Sequence, residues 1–151
     1  MWTLCAQGHD HWGRLGAAGL LLTDPERTGV VLQKWAPGVH QGGTWGVPGG
    51  AIDRGETTIE AALREADEEA GIDPSSLTVV REIVGTDHGD WTYTCVLAET
   101  DRTEEPFWSG WEAEATLWVD LEDVSGLRLH PGLRADWPRL RGRLRTIATP
   151  A

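Results

Sequence analysis

A single helix-forming segment, residues 57–71, constrains the fold more than any other part of this 151-residue chain. Thr57 and Glu60 have the spacing of a capping box at its start, and Gly71 is placed to end it. Between them, apolar side chains recur at helical spacing and form one stripe: Ile59, Ala62, Leu63, Ala66 and Ala70. Because small alanines dominate the stripe, the segment predicts a helix that lies very close to the element it packs against.

The same segment carries crowded acidic side chains that project away from the apolar stripe. Glu65 lies three and four residues before Glu68 and Glu69, so all three project toward one side of the helix. Like charges at this spacing destabilise a helix by about 0.2–0.5 kcal/mol per pair. Either water screens these charges on an exposed face, or a cation binds them. Taken alone, an acidic run of this kind is typical of a solvated face.

Short apolar runs between turn residues predict strands on both sides of the helix. The first two runs are joined by the turn-like residues 23–29 and are typical of a strand pair. A loop rich in glycine and proline follows at 37–50, interrupted by a short strand around Trp45 and Val47. The longer predicted strands are residues 16–22, 30–35, 77–85, 91–99 and 115–121.

The last part of the chain has the spacing of an amphipathic helix, with one apolar face formed by Leu133, Trp137, Leu140 and Leu144. Pro138 predicts that this helix begins or is kinked there. Together with the strands, these elements predict a single α+β domain over residues 1–151, with a mixed sheet and helices on its faces.

Charge and cysteine content exclude several classes of protein. A net charge of −11 argues against binding to a nucleic-acid polymer or an anionic membrane. Two cysteines, Cys5 and Cys95, do not make a disulfide framework. We expect no signal peptide and no membrane span, and therefore a cytoplasmic protein. Cys5, His9 and His11 lack two further ligands at a zinc-site spacing, so we expect them in a disordered or surface N-terminal segment.

From Gly50 to Ile72 the chain reads GAIDRGETTIEAALREADEEAGI, which fits G-x5-E-x7-R-E-U-x-E-E-x-G-U, with U apolar, at every fixed position. This pattern resembles the signature of the Nudix hydrolases, and the preceding GGTWGVPGG resembles the usual run into it. The resemblance implies a Nudix-type α/β/α sandwich with a mixed β-sheet. It also implies a Mg²⁺ site, with Mn²⁺ as the alternative, because Mg²⁺ commonly joins carboxylates to substrate phosphates.

The resemblance also implies a role for each residue of the acidic side. Glu68 and Glu69 would be the central metal ligands, and Gly49 would lend a backbone carbonyl. Glu65 would be a further ligand or the general base. Arg64 would orient Glu65 or pair with Glu56. Such a site would relieve the repulsion among the glutamates and activate water for attack on phosphorus.

Residues outside the motif complete the predicted site. Glu112 and Glu114 both lie upstream of the strand at Trp118. Glu112 is favoured as the alternative general base, because its distance from Trp118 resembles that of a loop acid of the family. His88 and Trp91 are predicted to flank the substrate. Trp45, Trp91 and Trp111 lie on segments near the site, and one of them is expected to stack on a base. The sequence alone does not choose among the three.

The predicted activity is hydrolysis of a nucleoside diphosphate linked to a group X. Exclusion favours a (d)NTP or oxidised (d)NTP, giving NMP and pyrophosphate, because markers of other subfamilies are missing; Tyr93 falls too far along for the dinucleoside polyphosphate marker. The alternatives are a nucleotide sugar or dinucleotide hydrolase, or a non-catalytic nucleotide-binding module. Isomerase chemistry on this fold needs a catalytic cysteine, which neither Cys5 nor Cys95 is placed to supply. A small-molecule partner and a homodimer, which is common in the family, are expected.

Overall fold

The computed structural model describes residues 15–89, 91–104, 107 and 111–147, and the backbone alone at 2–4 and 10–12. Within these ranges the chain forms nine strands, three α-helices and a 3-10 turn at Pro74–Ser76. The strands are β1 (Trp2–Leu4), β2 (Asp10–Trp12), β3 (Ala17–Thr23), β4 (Gly29–Trp35), β5 (Trp45–Gly46), β6 (Gly49–Ala51), β7 (Thr78–Asp87), β8 (Thr92–Glu99) and β9 (Ala113–Asp120). The helices are α1 (Thr58–Ala70), α2 (Leu121–Val124) and α3 (Pro131–Thr146).

One mixed sheet organises the molecule in the order β5-β4-β3-β8-β7, with β6 also paired to β3 and β9 to β4. Strands β3 and β8 run parallel along their whole length, whereas the other pairs of this sheet are antiparallel. The predicted pair of β3 and β4 is confirmed only where the two strands meet, at Thr23 and Val30. Beyond that point β4 pairs with β9, and β3 continues between β6 and β8.

The two faces of the sheet have different cores. Ala18 and Leu20 of β3 pack against the four buried alanines of α1, which are Ala61, Ala62, Ala66 and Ala70. Leu21 faces the other way, toward Trp137 and the leucines of α3. The helices therefore cover both faces, which confirms the predicted α/β/α sandwich.

Helix α1 has the start and end that its sequence predicts. The side chain of Thr57 accepts from the Glu60 N–H, and the Glu60 carboxylate accepts from the Thr57 N–H at 2.9 Å. Gly71 ends the helix in the left-handed conformation at φ 68°. Ile59 and Leu63 are partly buried at the edge of the stripe, and Ala61 lies within it.

Helix α3 begins seven residues before Pro138, which the sequence predicted as either the start of the helix or a kink in it. It starts at Pro131, and the His130 Nδ1 accepts from the Gly132 N–H at 3.0 Å as a cap. The predicted start at Pro138 is wrong, because Pro138 lies inside the helix. Proline at the first helical position is favoured since its missing N–H has no intrahelical partner there.

No helix in the part of the chain that the structure describes is both long enough and apolar enough to cross a membrane.

Candidate metal and catalytic site

Strand β6 brings the glycine-rich loop against the first half of β3. Gly49 pairs with Gly19, Ala51 pairs with Ala17, and the Ile52 N–H donates to the Gly16 carbonyl at 3.1 Å. Helix α1 packs on both strands. The carboxylate-bearing side of α1 is thereby held against the backbone of the loop that precedes it.

Glycine at position 50 makes this close approach possible. A Cβ added to Gly50 would lie 2.7 Å from Cδ and 2.8 Å from Oε1 of Glu65. The Gly49 N–H donates to Oε2 of Glu69 at 3.4 Å. Two carboxylates of α1 therefore contact consecutive residues of one short strand.

Glu65 and Glu69 form a carboxyl pair at the centre of the site. Burial raises the pKa of Glu69 well above its ordinary value, and a hydrogen bond to Glu65 together with the charges of Glu65 and Glu112 raises it further. The side chain of Glu65 is only 16% exposed. Two carboxylates this close cannot both stay ionised without compensation, so the pair needs either a shared proton or a bound cation.

Arg64 joins the carboxylates of the loop to those of the helix. Its Nε and Nη2 donate to the two oxygens of Glu56 at 2.7 and 3.0 Å, and its Nη1 donates to Oε1 of Glu65 at 2.9 Å. Nη2 also donates to the Ala51 carbonyl at 3.1 Å. These bonds raise the pKa of Arg64 and lower that of Glu56, so both remain charged. Arg64 thus contacts both partners that the sequence offered as alternatives.

The carboxylate and carbonyl oxygens of the site are suitable ligands for a hard divalent cation, but in this structure they do not point to one common position. Among the described residues, no three acidic, histidine or cysteine side chains are arranged to hold a metal ion. Arg64 holds Glu68 at 3.3 Å in addition to Glu65, while Glu69 is turned to the Gly49 amide. Glu68 is 60% exposed and can turn away from Arg64 by a change of rotamer. Mg²⁺ and Mn²⁺ prefer oxygen ligands, and this cluster offers more carboxylates than Arg64 alone can neutralise.

Glu112 lies near this pair, immediately before β9. The Ala36 N–H donates to its backbone carbonyl at 2.8 Å, which ties the segment to the end of β4. Its side chain is exposed, and its charge contributes to the raised pKa of Glu69. The neighbouring candidate acid Glu114 instead pairs with Lys34 at 3.4 Å.

The aromatic candidates differ in how much ring surface they expose. Trp91 is 7% exposed and packs against Ala17 and Tyr93, and the centroid of the His88 ring lies 6.3 Å from that of Trp91. Trp45 is partly buried against the core on the α3 side. Trp111, next to Glu112, is 81% exposed. A base needs an open ring face for stacking, and Trp111 offers the largest one.

Tyr93 is a site neighbour that the sequence considered only as a subfamily marker. A Cβ at Gly19 would collide with the Tyr93 hydroxyl and would lie 2.6 Å from the Val47 side chain. Burial raises the pKa of Tyr93, and the charge of Glu69 adds to this effect. The sequence alone does not indicate this neighbour. The approach of Tyr93 to Gly19 can be expected only once β3 is known to pair with β8.

Gly50→Ala is expected to lower turnover by about 10- to 100-fold with little loss of stability. The added methyl group must displace the end of the Glu65 side chain, which is flexible, so the fold tolerates it while the carboxyl pair is disturbed. Turnover and Tm of the variant would be compared with those of Gly142→Ala, where the new Cβ meets nothing within 4 Å. Wild-type turnover in Gly50→Ala would contradict the placement of Glu65 in the site.

Comparison with known proteins adds an independent observation. A model of the NUDIX domain family matches residues 13–140. A Bifidobacterium longum protein named "Nucleoside triphosphate pyrophosphatase/Nudix hydrolase fusion protein" is 44% identical over 98% of this chain, which spans 32% of that protein. A Mycobacterium tuberculosis protein named "Putative 8-oxo-dGTP diphosphatase 3" is 44% identical over 93% of this chain, which spans 68% of it. The chain therefore spans about a third of the first relative and about two thirds of the second.

Solved structures show the same fold. The crystal structure of a Nudix hydrolase from M. smegmatis, RenU, superposes with a TM-score of 0.90 at 40% identity, covering 100% of this chain and 98% of that one. A C. elegans Ap4A hydrolase superposes with a TM-score of 0.68 at 22% identity, covering 85% of this chain and 98% of that one. At that identity the second likeness concerns the fold alone.

Proposed function

Since this chain belongs to the Nudix hydrolase family, we propose that it is a Mg²⁺-dependent pyrophosphohydrolase of a nucleoside diphosphate linked to a group X. The observation that carries the proposal is the partly buried Glu65–Glu69 pair, which needs a cation or a proton to offset its charge. A cation there would join the protein to the phosphates of the substrate. The proposed substrate is a (d)NTP or oxidised (d)NTP, which gives NMP and pyrophosphate. The name of the M. tuberculosis relative supports that choice.

The residues of the site divide the work among them. Glu65, Glu68, Glu69 and the Gly49 carbonyl would hold the ion, and Arg64 keeps Glu65 in place through its bond at 2.9 Å. When bound, the cation would offset phosphate charge and lower the pKa of a coordinated water. The fold holds these like charges close together, because Arg64 orients Glu65 and the Gly49 amide orients Glu69.

Glu112 is the proposed general base, with Glu65 as the alternative. Its side chain is exposed and lies close enough to Glu69 to affect its pKa, so it can receive a proton from the attacking water and release it to solvent. The Glu65 side chain is only 16% exposed and accepts from Arg64 at 2.9 Å, so it is less free than Glu112 to reach an attacking water.

Trp111 is the proposed platform for the base, with Trp45, His88 and Trp91 lining the approach. It is exposed beside the proposed general base, and its ring is open for stacking. Trp91 and His88 pack on each other, which suits them to shape the wall of a cleft.

Trp111→Ala is expected to raise KM for the nucleotide about tenfold and to leave kcat within about twofold. Stacking of a base on an aromatic ring contributes about 1–3 kcal/mol, and about 1.4 kcal/mol corresponds to a factor of ten in affinity. Trp111→Phe keeps a ring face and should retain most of the affinity. Initial-rate kinetics of the two variants would check this, and an unchanged KM in Trp111→Ala would assign the base to another residue.

The overall proposal is tested by a substrate panel analysed by product chromatography. Purified protein with Mg²⁺ would be incubated with (d)NTPs, 8-oxo-dGTP, ADP-ribose, nucleotide sugars and dinucleoside polyphosphates, with Glu69→Gln as the blank. Formation of NMP and pyrophosphate from a triphosphate would support the proposed substrate. Cleavage confined to a nucleotide sugar or dinucleotide would move the substrate to that class. Binding without turnover would favour a nucleotide-binding module.

A further inference from the structure

A buried glutamine lies beneath the last turn of α1. Gln33 of β4 is 0% exposed, in a strand whose other buried residues are Gly29, Val30, Val31 and Leu32. Its Nε2 donates to Oγ1 of Thr116 on β9 at 3.1 Å and to the backbone carbonyl of Glu69 at 3.4 Å. Its Oε1 has no hydrogen-bond partner within the described part of the chain.

The orientation of this amide follows from its neighbours. The Glu69 carbonyl can only accept a hydrogen bond, so the nitrogen of the Gln33 amide must face it. The opposite orientation would place two oxygens against each other and leave the nitrogen with no acceptor. The Gln33 amide nitrogen therefore has acceptors, whereas its buried oxygen has no donor among the described residues, an arrangement that costs stability.

The bond from Gln33 caps a carbonyl in the last turn of α1. The last four carbonyls of an α-helix have no intrahelical donor. In α1 these begin at Asp67, whose carbonyl accepts from the Gly71 N–H at 2.9 Å, just after the helix. The carbonyl of Glu69 is reached by the side chain of Gln33 instead. Gln33 thus ties the residue that carries the central carboxylate to two strands of the sheet.

We propose that Gln33 is a positioning residue: by holding the Glu69 backbone through its amide, it keeps the Glu69 carboxylate against Gly49 and Glu65 and so sets the affinity of the site for a divalent cation. The inference rests on the proposed function. A carboxylate at the free end of a helix moves with that end, and the precision of a metal site depends on the groups that support its ligands. Gln33 is 0% and Thr116 7% exposed, so both are proposed to act through Glu69 and not by binding the cation themselves.

The test is the affinity for Mn²⁺, measured by calorimetry on the full chain without nucleotide. Gln33→Met has nearly the same length and removes both hydrogen bonds, so Kd for Mn²⁺ should rise about tenfold. At saturating Mn²⁺, KM for the nucleotide should stay at the wild-type value. A Gln33→Met protein that binds Mn²⁺ like the wild type would overturn the proposal.

A matched control separates positioning from general loss of stability. Thr23 is also 0% exposed, and its hydroxyl donates to the Gly29 carbonyl at 2.7 Å at the far end of β3. Thr23→Val should lower Tm and leave Kd for Mn²⁺ unchanged. If Thr23→Val weakens Mn²⁺ binding as much as Gln33→Met does, the effect is one of stability and the proposal is wrong.

A second pair of variants keeps the test decisive if Gln33→Met does not fold. Thr116→Val removes the oxygen that accepts from Gln33, whereas Thr116→Ser keeps it. We expect Kd for Mn²⁺ to rise about threefold in Thr116→Val, since one of two ties is lost, and to stay at the wild-type value in Thr116→Ser. Equal Kd values in the two variants would overturn the proposal.

The failure of this inference can be distinguished from failure of the proposed function. Wild type and Glu69→Gln are titrated with Mn²⁺ under the same conditions. Mn²⁺ binding that depends on Glu69 but not on Gln33 would refute the positioning role and leave the proposed function standing. Absence of any Glu69-dependent binding would overturn both.

Discussion

Glu69→Gln is expected to reduce turnover by about 10³-fold or more while the protein stays folded. The substitution removes one negative charge from the centre of the carboxyl pair and keeps the shape of the side chain. A neutral amide is a poor ligand for Mg²⁺. A fall in turnover of about 10³-fold is typical when one preorganised group that stabilises the charge of the reacting phosphate is removed. The Gly49 N–H can still donate to the amide oxygen, so the local backbone has no reason to change.

The same variant is expected to be more stable than the wild type when a chelator removes divalent ions. The pKa of Glu69 is raised in the folded protein, so the folded state holds its proton more tightly than the unfolded chain does. The stability linked to this proton is complete below about pH 4, where a free glutamate is protonated, and is lost as the pH rises toward the folded-state pKa. Glutamine does not ionise and avoids this loss.

Activity and melting curves in EDTA check both parts of the prediction. Tm of Glu69→Gln should exceed that of the wild type at pH 8, and the two values should approach each other near about pH 4. Asp67→Asn is the matched control, because Asp67 lies exposed on the same helix. It should keep wild-type turnover. A folded Glu69→Gln with full activity would refute the site assignment.

Arg64→Lys is expected to reduce turnover about 100-fold and to lower stability by about 2 kcal/mol. The guanidinium donates to both oxygens of Glu56 through Nε and Nη2, and to Glu65 through Nη1. Lysine keeps the positive charge but provides a single point of contact, so it cannot hold the two carboxylates and the Ala51 carbonyl together. Released from Arg64, Glu65 would lose its fixed orientation beside Glu69.

The comparison is with Arg54→Lys, which changes an exposed arginine in the loop before α1. Steady-state kinetics and thermal melts of both variants, with Mg²⁺ varied, separate a weaker metal site from a slower chemical step. We expect Arg64→Lys to require more Mg²⁺ for half-maximal activity. Retention of wild-type rates and Mg²⁺ dependence would mean that Arg64 serves only to anchor the loop.

The amino-acid sequence by itself determined helix α1 and the type of chemistry placed on it. The cap at Thr57, the end of the helix at Gly71 and the burial of Ala62, Ala66 and Ala70 were predicted correctly, whereas the buried Ala61 was not predicted. These features rest on contacts between residues one to four positions apart, which are the same in any fold that contains the helix. The spacing of the glutamates is equally local. For that reason the family resemblance and the α/β/α class could be stated before any contact was known.

Only the tertiary structure decided which of these groups come together and in what environment. The parallel pairing of β3 with β8 brings Tyr93 over Gly19, and the pairing of β4 with β9 places Gln33 beside Thr116. Trp111 is exposed while Trp91 is buried, a difference that residue type does not encode. Burial, pKa and orphaned polar atoms depend on neighbours from distant parts of the chain. Their positions follow from the packing of the whole sheet and its helices, and no short-range pattern specifies them.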